Sequence, residues 1–262
     1  MAKAPENETP EKGERIATTP EKGERIAKVI ARAGLCSRRD AERWIADGRV
    51  VVDGKKLTSP ALTVTAANTV IVDGKPLAGN VETKVWRYHK PAGLIVSHSD
   101  PEGRATIFER MPPGMPRVIS VGRLDLTSEG LMLLTNNGEL ARHMEKPDTG
   151  WIRRYRVRVN GRIDEAALAK LEKGVTISGI RYGAIKAELD RQKGANAWVT
   201  MALTEGKNRE IRKVMEHLGY RVTRLIRTAY GPFQLGNMER GAVTEVSHKM
   251  LRESLPKSFN LD

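Results

Sequence analysis

The chain has 262 residues, with 45 Lys and Arg against 32 Asp and Glu, a formal charge of +13 and 39% hydrophobic residues, enough for one large domain or a catalytic domain with a small accessory one. A field of that sign attracts polyanions, so RNA or DNA is the first partner class and an anionic membrane surface the second. The membrane reading has no support, because no apolar run approaches the roughly 20 residues that span a bilayer. No apolar segment follows Met1 as in a secretory signal, and the lone cysteine, Cys36, permits neither an intrachain disulfide nor a cysteine-cluster zinc site. The composition is that of a cytoplasmic protein that handles nucleic acid without a structural metal.

In chain order, residues 1–23 read as a disordered tail. Thr9 to Ala17 recurs as Thr19 to Ala27, and two copies holding Pro and Gly are too few and too broken for a solenoid. Ile26, Val29, Ile30 and Ala33 then recur at helical spacing up to Gly34. Ser37 is an N-cap with Asp40 in the capping-box position, opening a second helix whose apolar face is Ala41, Trp44 and Ile45. Asp53-Gly54 and Asp73-Gly74 each sit between apolar runs and predict type I′ hairpins. Residues 24–77 therefore form a helix-helix-hairpin module, and its stretch Lys28 to Lys56 carries eight Lys or Arg against four acids.

Residues 78–84 read as a linker, and 85–247 as a larger domain of short strands and few helices. Strands are expected at Val85 to His89, Leu94 to Ser97, Gly130 to Thr135, Arg154 to Val159, Ala184 to Leu189, Ala197 to Leu203, Val222 to Ile226 and Val243 to Val246. Arg154 to Val159 alternates arginine with Tyr and Val, the period of a half-buried strand. Helices are expected at Glu139 to Met144, Glu165 to Lys173 and Arg209 to Leu218. Strands with segregated helices indicate an α+β fold on a mixed, largely antiparallel sheet rather than a doubly wound one. Residues 248–262 read as a basic tail.

Several chemistries lack their motifs. Gly206-Lys207 is followed by Asn208 without the upstream glycine of a P-loop, no G-x-G-x-x-G follows a strand, and the five histidines never fall at metal-ligand spacing. What remains is Gly122-Arg123-Leu124-Asp125, followed by Ser128-Glu129-Gly130-Leu131 and an apolar run into Thr135-Asn136-Asn137-Gly138. Alone, an Arg-x-Asp pair is most often a surface ion pair. The longer pattern resembles the signature of the RsuA/RluB family of ribosomal RNA pseudouridine synthases, although Ser128 stands where many relatives carry Thr. Three further stretches match in the family's order. Ala33 to Glu42 with Gly48-Arg49-Val50 is similar to an S4 RNA-binding domain, Arg154-Tyr155-Arg156-Val157 to the motif that supplies a tyrosine, and Glu205 to Arg212 with Leu225 to Pro232 to the motif that supplies a basic partner. The resemblance covers roughly residues 25–245.

That resemblance implies an S4-like domain followed by a pseudouridine synthase domain, acting on ribosomal RNA without cofactor or metal. Asp125 would be the catalytic carboxylate, nucleophile or base. Arg212 would face it and favour the ionised form, and Tyr155 would offer a ring to a flipped uracil and a hydroxyl to move a proton. Arg123, Ile211 and Leu225 would line the base pocket. Flipping a stacked base costs roughly a few kcal/mol, which phosphate contacts from Arg38, Arg39, Arg43, Arg49, Lys207 and Arg209 would offset. The 23S RNA in pre-ribosomal particles is the favoured substrate of a monomeric enzyme, with 16S RNA, or a non-catalytic S4-type assembly factor, as the alternatives.

Overall fold

Glycines that allow left-handed backbone and an alternation of apolar and charged residues set most of the architecture. The computed structural model describes residues 23–77, 81–256, 259 and 261, so the expected tail at 1–23, apart from Gly23, and residues 78–80 of the expected linker lie outside the described residues. The chain divides near residue 78 into two units.

In the first unit the helices Ile26–Arg32 and Arg38–Ala46 pack on a four-stranded sheet, ordered Lys55–Lys56, Val50–Val52, Val70–Val72, Lys75–Pro76. Asp53 and Gly54 have φ of 50° and 77°, Asp73 and Gly74 of 50° and 78°. These are the paired left-handed residues that a type I′ turn requires, so both hairpins form where the sequence places them. Ser37 accepts from the Asp40 backbone N–H, and the Asp40 carboxylate accepts from the Ser37 backbone N–H, closing the capping box. Ile26, Ile30, Ile45 and Val50 are fully buried in a core of their own.

The second unit is built on a nine-stranded sheet. Its main path runs Ile185–Lys193, Asn196–Leu203, Arg153–Asn160, Arg221–Tyr230, Glu129–Thr135, Val85–Lys90, Val243–Glu245. Pairing is antiparallel except between Arg221–Tyr230 and Glu129–Thr135, so the sheet is mixed and largely antiparallel, as the strand pattern indicates. Glu129–Thr135 is buried at every position. Met132 and Leu134 join one apolar cluster, while Leu131 and Leu133 join the other. Arg153–Asn160 instead alternates buried with exposed, so one half of the sheet is covered on one face only.

Three segments differ from expectation. Leu94 to Ser97 forms no strand; Ile95 makes a single bridge to Thr106, its N–H donating to the Ala105 carbonyl and its own carbonyl accepting from the Ile107 N–H. The later part of the expected linker is fixed: Asn136 accepts from the Lys84 N–H and donates to the Glu82 carbonyl, and Asn137 donates to the Thr83 hydroxyl. The expected C-terminal tail folds back as a helix, His248–Ser254, capped by Ser247. Leu251, Leu255 and Leu261 are buried in the second cluster, and that apolar burial outweighs a modest density of charge. No helix among the described residues is long and apolar enough to cross a membrane.

Candidate active site

The loop from Gly122 to Ser128 links the strand Ile119–Val121 to Glu129–Thr135 and carries Asp125, which lines a cleft of about 1040 Å³. Three devices hold the loop. Gly122, at φ 66°, donates its N–H to Glu145 Oε1 at 2.7 Å. Ser128 N–H donates to the Asp125 carbonyl at 3.0 Å, closing a turn. Lys90, with no exposed surface, directs its ammonium to the carbonyls of Pro91, Asp125, Leu126 and Ser128 at 3.0, 3.2, 3.4 and 2.9 Å. Burial lowers the Lys90 pKa to about 8, against the pull of Asp125 and Glu129.

Just past the loop, Gly130 stands at φ 105° opposite Arg227 on the parallel neighbour. A Cβ there would fall 2.2 Å from the Arg227 carbonyl oxygen. Only glycine lets the two strands close, and this closure brings the loop against the helix Glu210–His217.

That helix and the residue that opens it supply two cations to Asp125. Arg209 Nη1 lies 3.6 Å and Arg212 Nε 3.8 Å from Asp125 Oδ2. Arg212 also donates to the Thr127 hydroxyl at 3.0 Å and its carbonyl at 3.3 Å. Its buried Nε has no hydrogen-bond partner, so a donor stands ready opposite the carboxylate. Burial, then Arg209, lowers the Arg212 pKa, and Asp125 opposes that shift. Arg209 at the helix start is left-handed, at φ 52°, a conformation non-glycine residues rarely hold outside functional or tightly constrained sites. The Asp125 carboxylate is 31% exposed, so it is reachable from the cleft.

Tyr155, Ile211 and Leu225 line the same cleft and are each less than a tenth exposed; Arg123 lines it from the exposed side. Tyr155 is on the strand face that packs inward, while Arg154 and Arg156 point the other way. Lys207 and Arg209 stand at the cleft wall. Lys207 pairs with Glu205 and lies over the Tyr182 ring. In the first unit, Arg38, Arg39, Arg43 and Arg49 are all exposed. Arg43 is paired with Asp40, and Arg49 with Asp73 at 2.5 Å while stacked over Trp44. No carboxylate among the described residues pairs with Arg38 or Arg39.

Other groups at the cleft were not singled out from sequence. Arg227, 3% exposed, donates to the Leu131 carbonyl at 2.7 Å and lies over the Tyr230 ring. Arg153 donates to the Tyr230 hydroxyl at 3.0 Å, and that hydroxyl donates to the Met144 carbonyl. Lys90 had a legible signal. It continues the alternation Trp86, Tyr88, Lys90 on the buried face of its strand, and a lysine there must find acceptors or neutralise.

A carboxylate flanked by arginines, beside a tyrosine and apolar walls in a cleft large enough for a nucleotide, suits covalent or base chemistry at a sugar or a base. The RNA pseudouridylate synthase family profile matches residues 84–217 and the S4 domain profile residues 24–71. An uncharacterized RNA pseudouridine synthase of Rickettsia felis is 46% identical over 226 residues, covering 86% of this chain and 98% of that protein. The chain belongs to the RNA pseudouridine synthase family. It is an isomerase that converts uridine to pseudouridine. Ribosomal large subunit pseudouridine synthase B of Haemophilus influenzae is 42% identical over 214 residues, 79% of this chain and 60% of that protein. A crystal structure of a pseudouridylate synthase shares the fold at a TM-score of 0.61 and 22% identity, covering 88% of this chain and 99% of that one.

The cleft of this synthase also contains a buried acid. Glu210 is 4% exposed, accepts from the Lys207 N–H at 2.8 Å through Oε2, and leaves Oε1 without a partner. Burial, then the neighbouring Glu205, raises its pKa from 4.5 to about 7. The folded state therefore binds this proton more tightly than the unfolded chain. Its stabilisation is full below about pH 4.5 and is lost as pH rises through about 7. Between pH 5 and pH 8 the wild type should lose on the order of 2–3 kcal/mol relative to Glu210→Gln, read from urea melts at both values. Parallel pH dependence in the two proteins would mean that Glu210 carries its charge when buried.

Proposed function

We propose that this synthase isomerises one uridine of 23S ribosomal RNA, with Asp125 attacking or deprotonating at the nucleotide while Tyr155 and Arg212 hold the base and the carboxylate. The observation that carries this reading is the Asp125 carboxylate lining the cleft, with Arg209 and Arg212 as counter-charges. Breaking N1–C1′ and forming C5–C1′ releases the C5 proton to solvent and leaves N1 to take one up, so the composition of the nucleotide is unchanged and no co-substrate is needed. Tyr155 would stack on the flipped uracil, Ile211 and Leu225 would exclude water, and Arg123 would meet the adjacent phosphate.

Similarity to the Haemophilus influenzae protein and to ribosomal large subunit pseudouridine synthase B of Salmonella typhi, 40% identical over 226 residues, supports 23S RNA as the substrate. The S4 unit would dock on the RNA mainly through Arg38 and Arg39, because acids already engage Arg43 and Arg49. Lys207 and Arg209 would extend that contact at the cleft. We take the enzyme to be a cytoplasmic monomer acting on pre-ribosomal particles.

Carbodiimide mapping of ribosomal RNA from cells lacking the gene tests this. One pseudouridine should vanish from 23S RNA and return when the gene is restored. A loss confined to 16S RNA would make the small ribosomal subunit the target, and an unchanged map would remove ribosomal RNA as the substrate.

A further inference from the structure

On the half of the sheet that is covered on one face only, four neighbouring strands place basic and aromatic residues in register. Arg191 is paired with Trp198, Trp198 with Arg158, and Arg158 with Arg224. These residues, with Lys193 and Asn196, line a groove of about 540 Å³. Because Arg154, Arg156 and Arg158 alternate with Tyr155, Val157 and Val159 along one strand, the groove lies on the opposite side of the sheet from Tyr155 and the active cleft.

The charges in this groove are not balanced within the protein. Arg224 is paired with Glu129 at 2.8 Å, but Glu129 is shared with Arg240. Arg156 is held by Asp190 at 3.5 Å and stacked on Trp198 at 4.7 Å. Among the described residues no carboxylate pairs with Arg158, Arg191 or Lys193. Like charges set opposite each other on adjacent strands repel, and here Arg158 faces Arg224 across the ladder. The fold thus keeps a fixed row of cations whose repulsion a bound anion would relieve. Three inter-strand gaps of about 4.8 Å make the row roughly 14 Å long, which suits a short run of a nucleic-acid backbone rather than a single ion.

We propose that this row is a second phosphate-binding track, which holds RNA of the substrate outside the segment that enters the cleft. The proposal rests on the reading that the substrate is a large structured RNA. Strand positions fix the spacing of the cations, and Trp198 supports the Arg156 guanidinium from below. The track therefore contributes affinity and register without touching the reacting uridine.

The test uses the full chain and a full-length 23S RNA transcript, with filter binding between 50 and 200 mM KCl. Arg158→Gln with Arg191→Gln should weaken binding about tenfold at low salt and make the log–log salt slope shallower by about 1.5, at roughly 0.7–0.9 for each phosphate no longer neutralised. Turnover at saturating RNA should not change, so the defect should lie in KM and not in kcat. Arg158→Lys with Arg191→Lys keeps the charge and should retain the slope, which a purely structural role for the arginines would not allow. If the glutamine double variant fails to fold by circular dichroism, Lys193→Gln at the exposed strand end should lower the slope by about 0.7. Unchanged affinity and slope in folded variants would overturn the track and would point to an acidic protein or no ligand at this face. An absence of pseudouridine formation by the wild type would instead refute the proposed function, because the salt slope reads the groove independently.

Discussion

Replacing Asp125 with asparagine should reduce tritium release from C5-labelled uridine in ribosomal RNA by about 10³-fold or more, with RNA affinity retained. The substitution keeps the shape of the side chain and removes its charge. Lys90 contacts the Asp125 carbonyl and not its carboxylate, so the loop should hold its place. Arg209 and Arg212, at 3.6 and 3.8 Å from the carboxylate oxygen, would lose their counter-charge, which if anything favours an anionic ligand. The loss should therefore fall on kcat and not on KM. Wild-type turnover by the asparagine variant would remove Asp125 from the chemistry, and a matching loss of RNA binding would make it a docking residue.

The second large effect is expected at Lys90. A methionine of similar length would fill the space and remove a donor from four carbonyls. Those of Asp125 and Leu126 keep the N–H groups of Ser128 and Gly93, so at most those of Pro91 and Ser128 are left without one. A buried acceptor without its partner costs about 1–3 kcal/mol, and some of these carbonyls can turn to water or to other donors. A net loss of about 3 kcal/mol corresponds to a Tm lower by roughly 6–12 °C for a domain of this size. Activity should fall further than stability alone explains, because three of the four carbonyls belong to the loop that positions Asp125. Thermal melts combined with turnover at a temperature where both proteins are folded separate the two effects. A Tm unchanged from wild type would show that the ammonium is not what holds the loop.

Much of the fold was legible because local chemistry specified it. Asp53-Gly54 and Asp73-Gly74 fixed two hairpins through backbone preference alone, and Ser37 with Asp40 fixed a helix start. The alternation from Arg154 to Val159 revealed a strand with one wet face, and that face proved to be open. Leu94 to Ser97 misled because a short apolar run does not say whether a partner strand is near, and here only Thr106 pairs. The helix His248–Ser254 was hidden because its apolar residues are few and take on meaning only against the cluster they complete.

The sequence by itself determined the order of the motifs, the positive charge and the presence of Asp125 in a loop ahead of an apolar strand. Those are properties of neighbouring residues and of composition, and they persist in an unfolded chain. Which cations meet Asp125 was decided by tertiary structure. Gly130 lets the strands Glu129–Thr135 and Arg221–Tyr230 close in parallel register, and the start of the helix Glu210–His217 then sets Arg209 beside the carboxylate along with the expected Arg212. The buried state of Lys90 and Glu210 was decided there too. The pKa of each depends on how much water the fold removes around it, and no stretch of sequence carries that quantity.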